Sequence, residues 1–378
     1  MKKLIALFTF LIIIQPVFAQ KNLLPRFIRK MIFNDDTSKH SSFFLLPVVS
    51  SAPETGLEVG ASALYSFYTA TIHNDTRVSN IFAWGTVTTK GQSRVSLSTT
   101  YWTPHNAWHY TGAISYQNFP FDYYGIGPDT YKANKDHLDQ KRFKINLEAD
   151  KKLGRYIYTG LNIGGYYYHF KVDDPAGPFN TNPAIEGKTG GAGLLAGPTF
   201  IFDSRNNNTY TTRGIIVTSY YYLMQGIGGN SNYKGGLLNI EVSQYNALGK
   251  HFMLGFDVQS QNLTGGQSPF YLLPALGSDE MMRGYYNGRY RDRNFIAAQT
   301  ELRYRFSTRF ALAGFGGTGT VFNQSFSFDD LKPNYGGGIR YFFDVQKALT
   351  IRLDYGFGQK VPGESRQSGM YLSMGEAF

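Results

Sequence analysis

Apolar and polar residues alternate with a period of two in segment after segment, from about residue 43 to residue 378. In Phe295–Phe306, Ile296, Ala298, Thr300, Leu302, Tyr304 and Phe306 form one row, and Gln299, Glu301, Arg303 and Arg305 fall in the other. Successive side chains of a strand point to opposite faces, so each segment reads as a strand with one greasy and one charged face. The same alternation sets Phe143, Ile145, Leu147 and Ala149 against Arg142, Lys144, Asn146, Glu148 and Asp150. It also sets Leu349, Ile351, Leu353, Tyr355 and Phe357 against Arg352, Asp354 and Gly356. A transmembrane β-barrel needs this pattern, apolar toward lipid and polar toward a wet lumen. An Arg or Lys facing lipid at mid-membrane costs about 2–4 kcal/mol, so the charged rows belong inside.

The N-terminal end supports export. Residues 1–19 read as a signal peptide, with Lys2 and Lys3, an apolar stretch Leu4–Ile14, and small residues Val17 and Ala19 where cleavage requires them. Residues 20–42 read as a short periplasmic leader, and 43–378 as the barrel. No later segment approaches the ~18 uninterrupted apolar residues of a helical span, which leaves a closed barrel as the way across a membrane. There are no cysteines, so no disulfide is expected. The 28 Tyr and 30 Phe suit lipid faces and interfacial girdles, and the runs Tyr166–Tyr168 and Tyr220–Tyr222 read as girdle. Net charge is +10, but the basic residues alternate along strands instead of clustering, which argues against a nucleic-acid partner.

Sixteen candidate strands follow Ser42, so the expected fold class is all-β, an antiparallel transmembrane barrel of sixteen strands. The connections 119–138, 173–189, 263–293, 322–334 and 359–367 are long. The connections 153–154, 247–249, 307–308 and 344–347 are short. Long loops outside and short turns inside match an outer-membrane barrel entered from the periplasm. The last strand is expected at 368–378, ending on Phe378, with Glu376 in the same row. Pro47 in the first strand removes one backbone donor, and small residues pack the last strand weakly. The pairing between 43–51 and 368–378 is therefore expected to hold fewer hydrogen bonds than interior pairs.

One long connection carries a motif. It contains Met282-Arg283-Gly284-Tyr285-Tyr286 and then Gly288-Arg289-Tyr290-Arg291-Asp292-Arg293. Phe202-Asp203-Ser204-Arg205 with Thr212-Arg213-Gly214, Pro120–Gly127, Pro53–Leu57 and Arg352-Leu353-Asp354-Tyr355-Gly356 accompany it in order. This set resembles the BamA/TamA-type outer-membrane assembly factors, the bacterial surface antigen family, over roughly residues 43–378. Their sixth outer loop bears an Arg-Gly-Phe/Tyr motif, here Arg283, Gly284 and Tyr285. The resemblance implies that Arg283 folds into the lumen and pairs with acids of the twelfth and thirteenth strands. The first maps to Glu301. The second maps to Gly317, where the family usually has Asp, and Asp354 is the expected substitute. A charge-assisted pair would offset the entropy of tucking in the loop. Family members also carry periplasmic POTRA modules. About 23 residues precede the first strand here, too few for one, so a barrel-only member is expected.

Catalytic and metal chemistry find little support. His105 and His109 stand four apart in a turn and strand start, without further ligands at zinc spacing, and read as solvated turn histidines. No Gly-x-Ser-x-Gly elbow is present. No cofactor, metal or catalytic residue is expected, and the chain does not read as an enzyme. By resemblance it assists insertion or translocation of protein or lipid at the outer membrane. Its partners would be outer-membrane lipid and a periplasmic partner protein or client polypeptide. The alternatives are a passive or plugged outer-membrane channel and, well behind, a lipolytic barrel enzyme.

Overall fold

The computed structural model describes residues 41–70, 75–227 and 232–378. The expected signal peptide, and the leader up to residue 40, lie outside the described residues. Sixteen antiparallel strands form one closed sheet. They are β1 Ser42–Ala52, β2 Gly56–Phe67, β3 Ser79–Thr88, β4 Ser93–Trp102, β5 Trp108–Asn118, β6 Asp136–Lys152, β7 Ile157–Val172 and β8 Gly190–Asp203. After them come β9 Gly214–Gly226, β10 Lys234–Leu248, β11 Phe252–Gly265, β12 Asn294–Arg305, β13 Phe310–Phe322, β14 Lys332–Asp344, β15 Leu349–Phe357 and β16 Ser368–Met374. A further three-residue strand, Phe121–Tyr123, lies in the loop after β5 and extends the pairing of β6. No helix among the described residues is long and apolar enough to cross a membrane.

The period of two sorts the side chains as expected. Leu147, Leu161, Ile163, Leu194, Leu223 and Leu353 stand exposed on the outer surface. Glu301, Arg303, Arg340, Arg352 and Asp354 point inward and are essentially fully buried. The tyrosine runs obey the same rule, which corrects the girdle reading. Tyr167 and Tyr221 face outward, whereas Tyr166, Tyr168 and Tyr222 turn into the lumen. There they form an apolar core with Phe121, Tyr123, Phe170, Phe179, Phe270 and Tyr271. The outer loops thus fold inward. Phe270 lies 4.7 Å from Phe170 and 5.0 Å from Phe179 between ring centroids. Arg291 adds two backbone bridges, to Gly127 and to Ala275. The outer half of the lumen is filled by its own loops.

Closure is uneven. β1 pairs with β2 over eleven registered residue pairs, from Ser42↔Ser66 to Ala52↔Gly56. β15 pairs with β16 over seven, from Ile351↔Met374 to Phe357↔Ser368. β1 meets β16 at a single pair, Ser51↔Met370. Below that point Phe44 and Leu46 of β1 pack with Phe343, Tyr341, Leu349, Ile351 and Met374, so apolar contact replaces a ladder.

The end of the chain departs from expectation. β16 stops at Met374, because Gly375 adopts φ 79°, the left-handed region that glycine enters freely and that breaks a strand. The chain then turns into the lumen. Glu376 meets Arg340 at 3.0 Å instead of facing outward. The Phe378 ring lies 6.0 Å from the inward ring of Tyr245, and its carbonyl oxygen accepts from Arg303 at 3.0 Å. An ionic attraction to the lumenal arginines thus takes the place of edge pairing over residues 375–378.

Candidate functional site

Strands β12, β14 and β15 each place inward charges at one height, and the loop between β11 and β12 lowers Arg283 among them. Arg283 Nη2 donates to Glu301 at 2.9 Å, and its Nη1 donates to Asp354. Arg340 bridges the same two carboxylates, meeting Glu301 at 3.1 Å and also bonding Asp354. Arg303 Nε donates to Glu301 at 2.6 Å. Arg352 reaches Asp354 at 3.2 Å and Asp279 of the loop at 2.9 Å. Four arginines (283, 303, 340, 352) therefore face four carboxylates (Asp279, Glu301, Asp354, Glu376), and the formal charges cancel. Such balance is what permits burial, because an unpaired ion out of water costs several kcal/mol or more.

The position expected to lack an anion is Gly317. It faces inward between Gln299 and Asn334. A Cβ there would come within 2.6 Å of the Ala298 carbonyl oxygen, so a larger residue would have to push the wall aside. Two groups occupy the role instead. Asp354 supplies the charge, and the Phe315 ring lies 3.5 Å under the Arg283 guanidinium, a cation–π contact.

The glycine of the motif has a steric reason. Gly284 has φ 104°, and a Cβ on it would lie 2.7 Å from the backbone of Gly356. A Cβ on Gly356 would in turn meet the Arg283 backbone at 2.7 Å. Loop and strand β15 therefore cross backbone to backbone, with no side chain between them. Met282 before it sits at φ 59°, a strained conformation for a non-glycine residue, and is fully buried. The Gly284 N–H donates to Tyr371 Oη of β16 at 2.9 Å. Tyr285 is fully buried, donates to the Pro333 carbonyl at 2.6 Å and accepts from Gln359 N–H at 3.0 Å.

A second anchor lies nearer the outer surface. Arg289 meets Glu364 at 2.7 Å and donates to the Thr130 carbonyl at 2.9 Å. Burial alone would push the Glu364 carboxyl up, yet bonds from Arg289 and the Lys132 N–H hold it below the ordinary range.

No family model and no curated protein matches the sequence. Solved structures do match. The BamA of Haemophilus ducreyi lacking POTRA domains 1–3 superposes at a TM-score of 0.56 with 13% identity, covering 89% of this chain and 70% of that one. CdiB from Acinetobacter baumannii gives 0.56 at 11% identity, and CdiB from Escherichia coli 0.54 at 10%. This chain is covered to 89% and 88% in those two, and spans 60% and 62% of their lengths. The chain has the fold of the BamA and CdiB barrels. At these identities the likeness extends to the fold alone.

The structure brings Arg283, Glu301 and Asp354 together and packs Gly284 and Tyr285 beside them. Sequence reasoning missed Arg340, Phe315 and Tyr371 as members of the same cluster. Their inward parity was available, since Arg340 stands between the outward residues Ile339 and Tyr341. Their common height was not, because it depends on how the strands are staggered around the barrel. The seam adds a cavity of about 550 Å³. Leu46, Val48, Ile351, Leu372 and Met374 supply its apolar lining, and Glu58, Arg94, Asp279 and Ser373 its polar lining. His105 is exposed, as expected. His109 is buried, which corrects its reading as a solvated turn residue.

Proposed function

We propose that this chain works at the bacterial outer membrane as a barrel that assists insertion or translocation of protein or lipid through its β1–β16 seam. The observation that carries the reading is the single registered pair Ser51↔Met370, beside a cavity open to both apolar and charged surfaces. Backbone groups left unpaired at an edge in lipid are costly, and a client strand or lipid headgroup entering there would satisfy them. Its partners in this reading are outer-membrane lipid and a client or partner polypeptide from the periplasm.

The chain has no cysteine, so a Ser51→Cys/Met370→Cys pair gives an unambiguous and reversible lock. In vesicles carrying this variant, folding of a urea-unfolded outer-membrane barrel should be accelerated when the pair is reduced and lose that acceleration when it is oxidised. Equal folding in both states would refute the reading. The inward-folded loops favour a second reading, a plugged channel. Steady ionic conductance, insensitive to the lock and increased by deleting residues 266–293, would select it.

A further inference from the structure

On the opposite side of the lumen from the arginine cluster, three consecutive strands bring a different set of donors to one height. His109 is the second residue of β5 and registers with Asp150 of β6. Glu148 precedes Asp150 by two and registers with Asn162 of β7. The ligand atoms of His109, Glu148 and Asp150 all lie within 4.8 Å of one another. His109 Nδ1 is 3.1 Å from Asp150 Oδ2, and the Thr199 hydroxyl of β8 donates to the other oxygen. Gly160 lies between these strands, and a Cβ on it would come within 2.6 Å of Asp150 Oδ1, so the missing side chain leaves that carboxylate its place. The Trp102 ring stacks on the His109 imidazole at 4.0 Å and fixes its plane.

Two features are unexplained by packing. Asp150 is fully buried and Glu148 half-buried, yet among the ion pairs of the described residues the one partner of this carboxylate pair is His109, charged only when protonated. Two carboxylates so close repel unless a proton or a cation lies between them. Asn162 is the second feature. It is fully buried, and its Nδ2 donates to Glu148 Oε2 at 3.1 Å, but its Oδ1 has no hydrogen-bond partner. Since the same planar amide is bonded to Glu148, this orphan acceptor sits at the edge of the carboxylate cluster. Buried acceptors are normally satisfied.

We propose that His109, Glu148, Asp150 and Asn162 form a site for a divalent transition-metal cation of the Zn²⁺ or Mn²⁺ class, on the lumen wall toward the periplasmic mouth. One imidazole nitrogen, two carboxylates and an amide oxygen make a mixed donor set that suits those ions. Ligands at about 2.0–2.2 Å from an ion stand roughly 3–4 Å apart, close to the spacing that the donor atoms of His109, Glu148 and Asp150 already keep. The ion removes the repulsion between the carboxylates and gives the Asn162 oxygen a partner. It also pins β5, β6 and β7 to one another. The donors span residues 109–162, so no local spacing announces them.

The test uses the full-length barrel folded in detergent, stripped with chelator, and titrated with Zn²⁺ by calorimetry and with Mn²⁺ by paramagnetic resonance. One equivalent of either ion is expected, with affinity reduced roughly 30-fold in Glu148→Gln and in His109→Gln. Asn162→Leu should weaken binding and Asn162→Asp retain it. Heat-dependent migration in gels identifies variants that are folded. Should the substitutions prevent folding, X-ray absorption at the zinc edge of the wild-type protein decides, with one imidazole in a shell of nitrogen and oxygen expected. No stoichiometric binding, binding unchanged in folded Glu148→Gln, or a shell holding no imidazole or several would each overturn the proposal.

Discussion

Arg283 holds the loop by geometry as much as by charge. Its guanidinium divides two bonds between carboxylates on different strands, while its flat face covers Phe315. Removing it leaves part of the negative charge of Glu301 and Asp354 buried without its partner. Breaking a buried pair from one side costs about 3–5 kcal/mol. Arg283→Ala is therefore expected to release the 266–293 loop, read as faster limited proteolysis within it. Arg283→Lys should not restore protection, because an ammonium can neither fork between two carboxylates nor lie flat on a ring. Unchanged cleavage rates in Arg283→Ala would count against the anchoring role. The sequence made part of this cluster legible. Parity alone turns Glu301 and Asp354 inward, and the motif singled out Arg283. It did not show that Arg340 bridges the same two acids, or that His109 meets Glu148 and Asp150. Both depend on the stagger between neighbouring strands, and a period of two carries no information about stagger.

At the scale of elements, the strands were readable because each repeats one simple rule, and their ends were readable only where a strong local signal marks them. Gly375 is such a signal, yet the aromatic at Phe378 suggested a longer strand. What decided the outcome was a long-range attraction, Glu376 to Arg303 and Arg340. The tyrosine runs failed for a different reason. Adjacent residues in a strand cannot share a face, so a run of three divides between lipid and lumen. Strand β13 offers a test of how closely the inner wall is fitted. Restoring an acid by Gly317→Asp would add a charge near Arg283, but its Cβ would press on the Ala298 carbonyl and Gln299. The expected result is a barrel that unfolds at a lower temperature in the gel heat-shift assay. A raised unfolding temperature would mean that the wall yields and the charge prevails.

At the scale of the whole molecule, the plug and the weakest joint of the barrel are built from the same pieces. The Gly284 N–H rests on Tyr371 of β16, and the loop backbone crosses Gly356 of β15 with nothing between. The last two strands are therefore a lever with the stopper fastened to its arm. Anything that pries β16 away from β1 pulls on the loop. By thermodynamic reciprocity, anything that loosens the loop eases the strand by the same factor. Oxidising a Ser51→Cys/Met370→Cys pair should accordingly slow proteolysis of residues 266–293, far from the crosslink in sequence. In a Tyr371→Phe background the fastening is cut, and most of that protection should vanish. Equal protection in both backgrounds would mean that stopper and lever move separately. If they move together, a passenger entering from the side also unstops the barrel, and leakage across the membrane would accompany each passage.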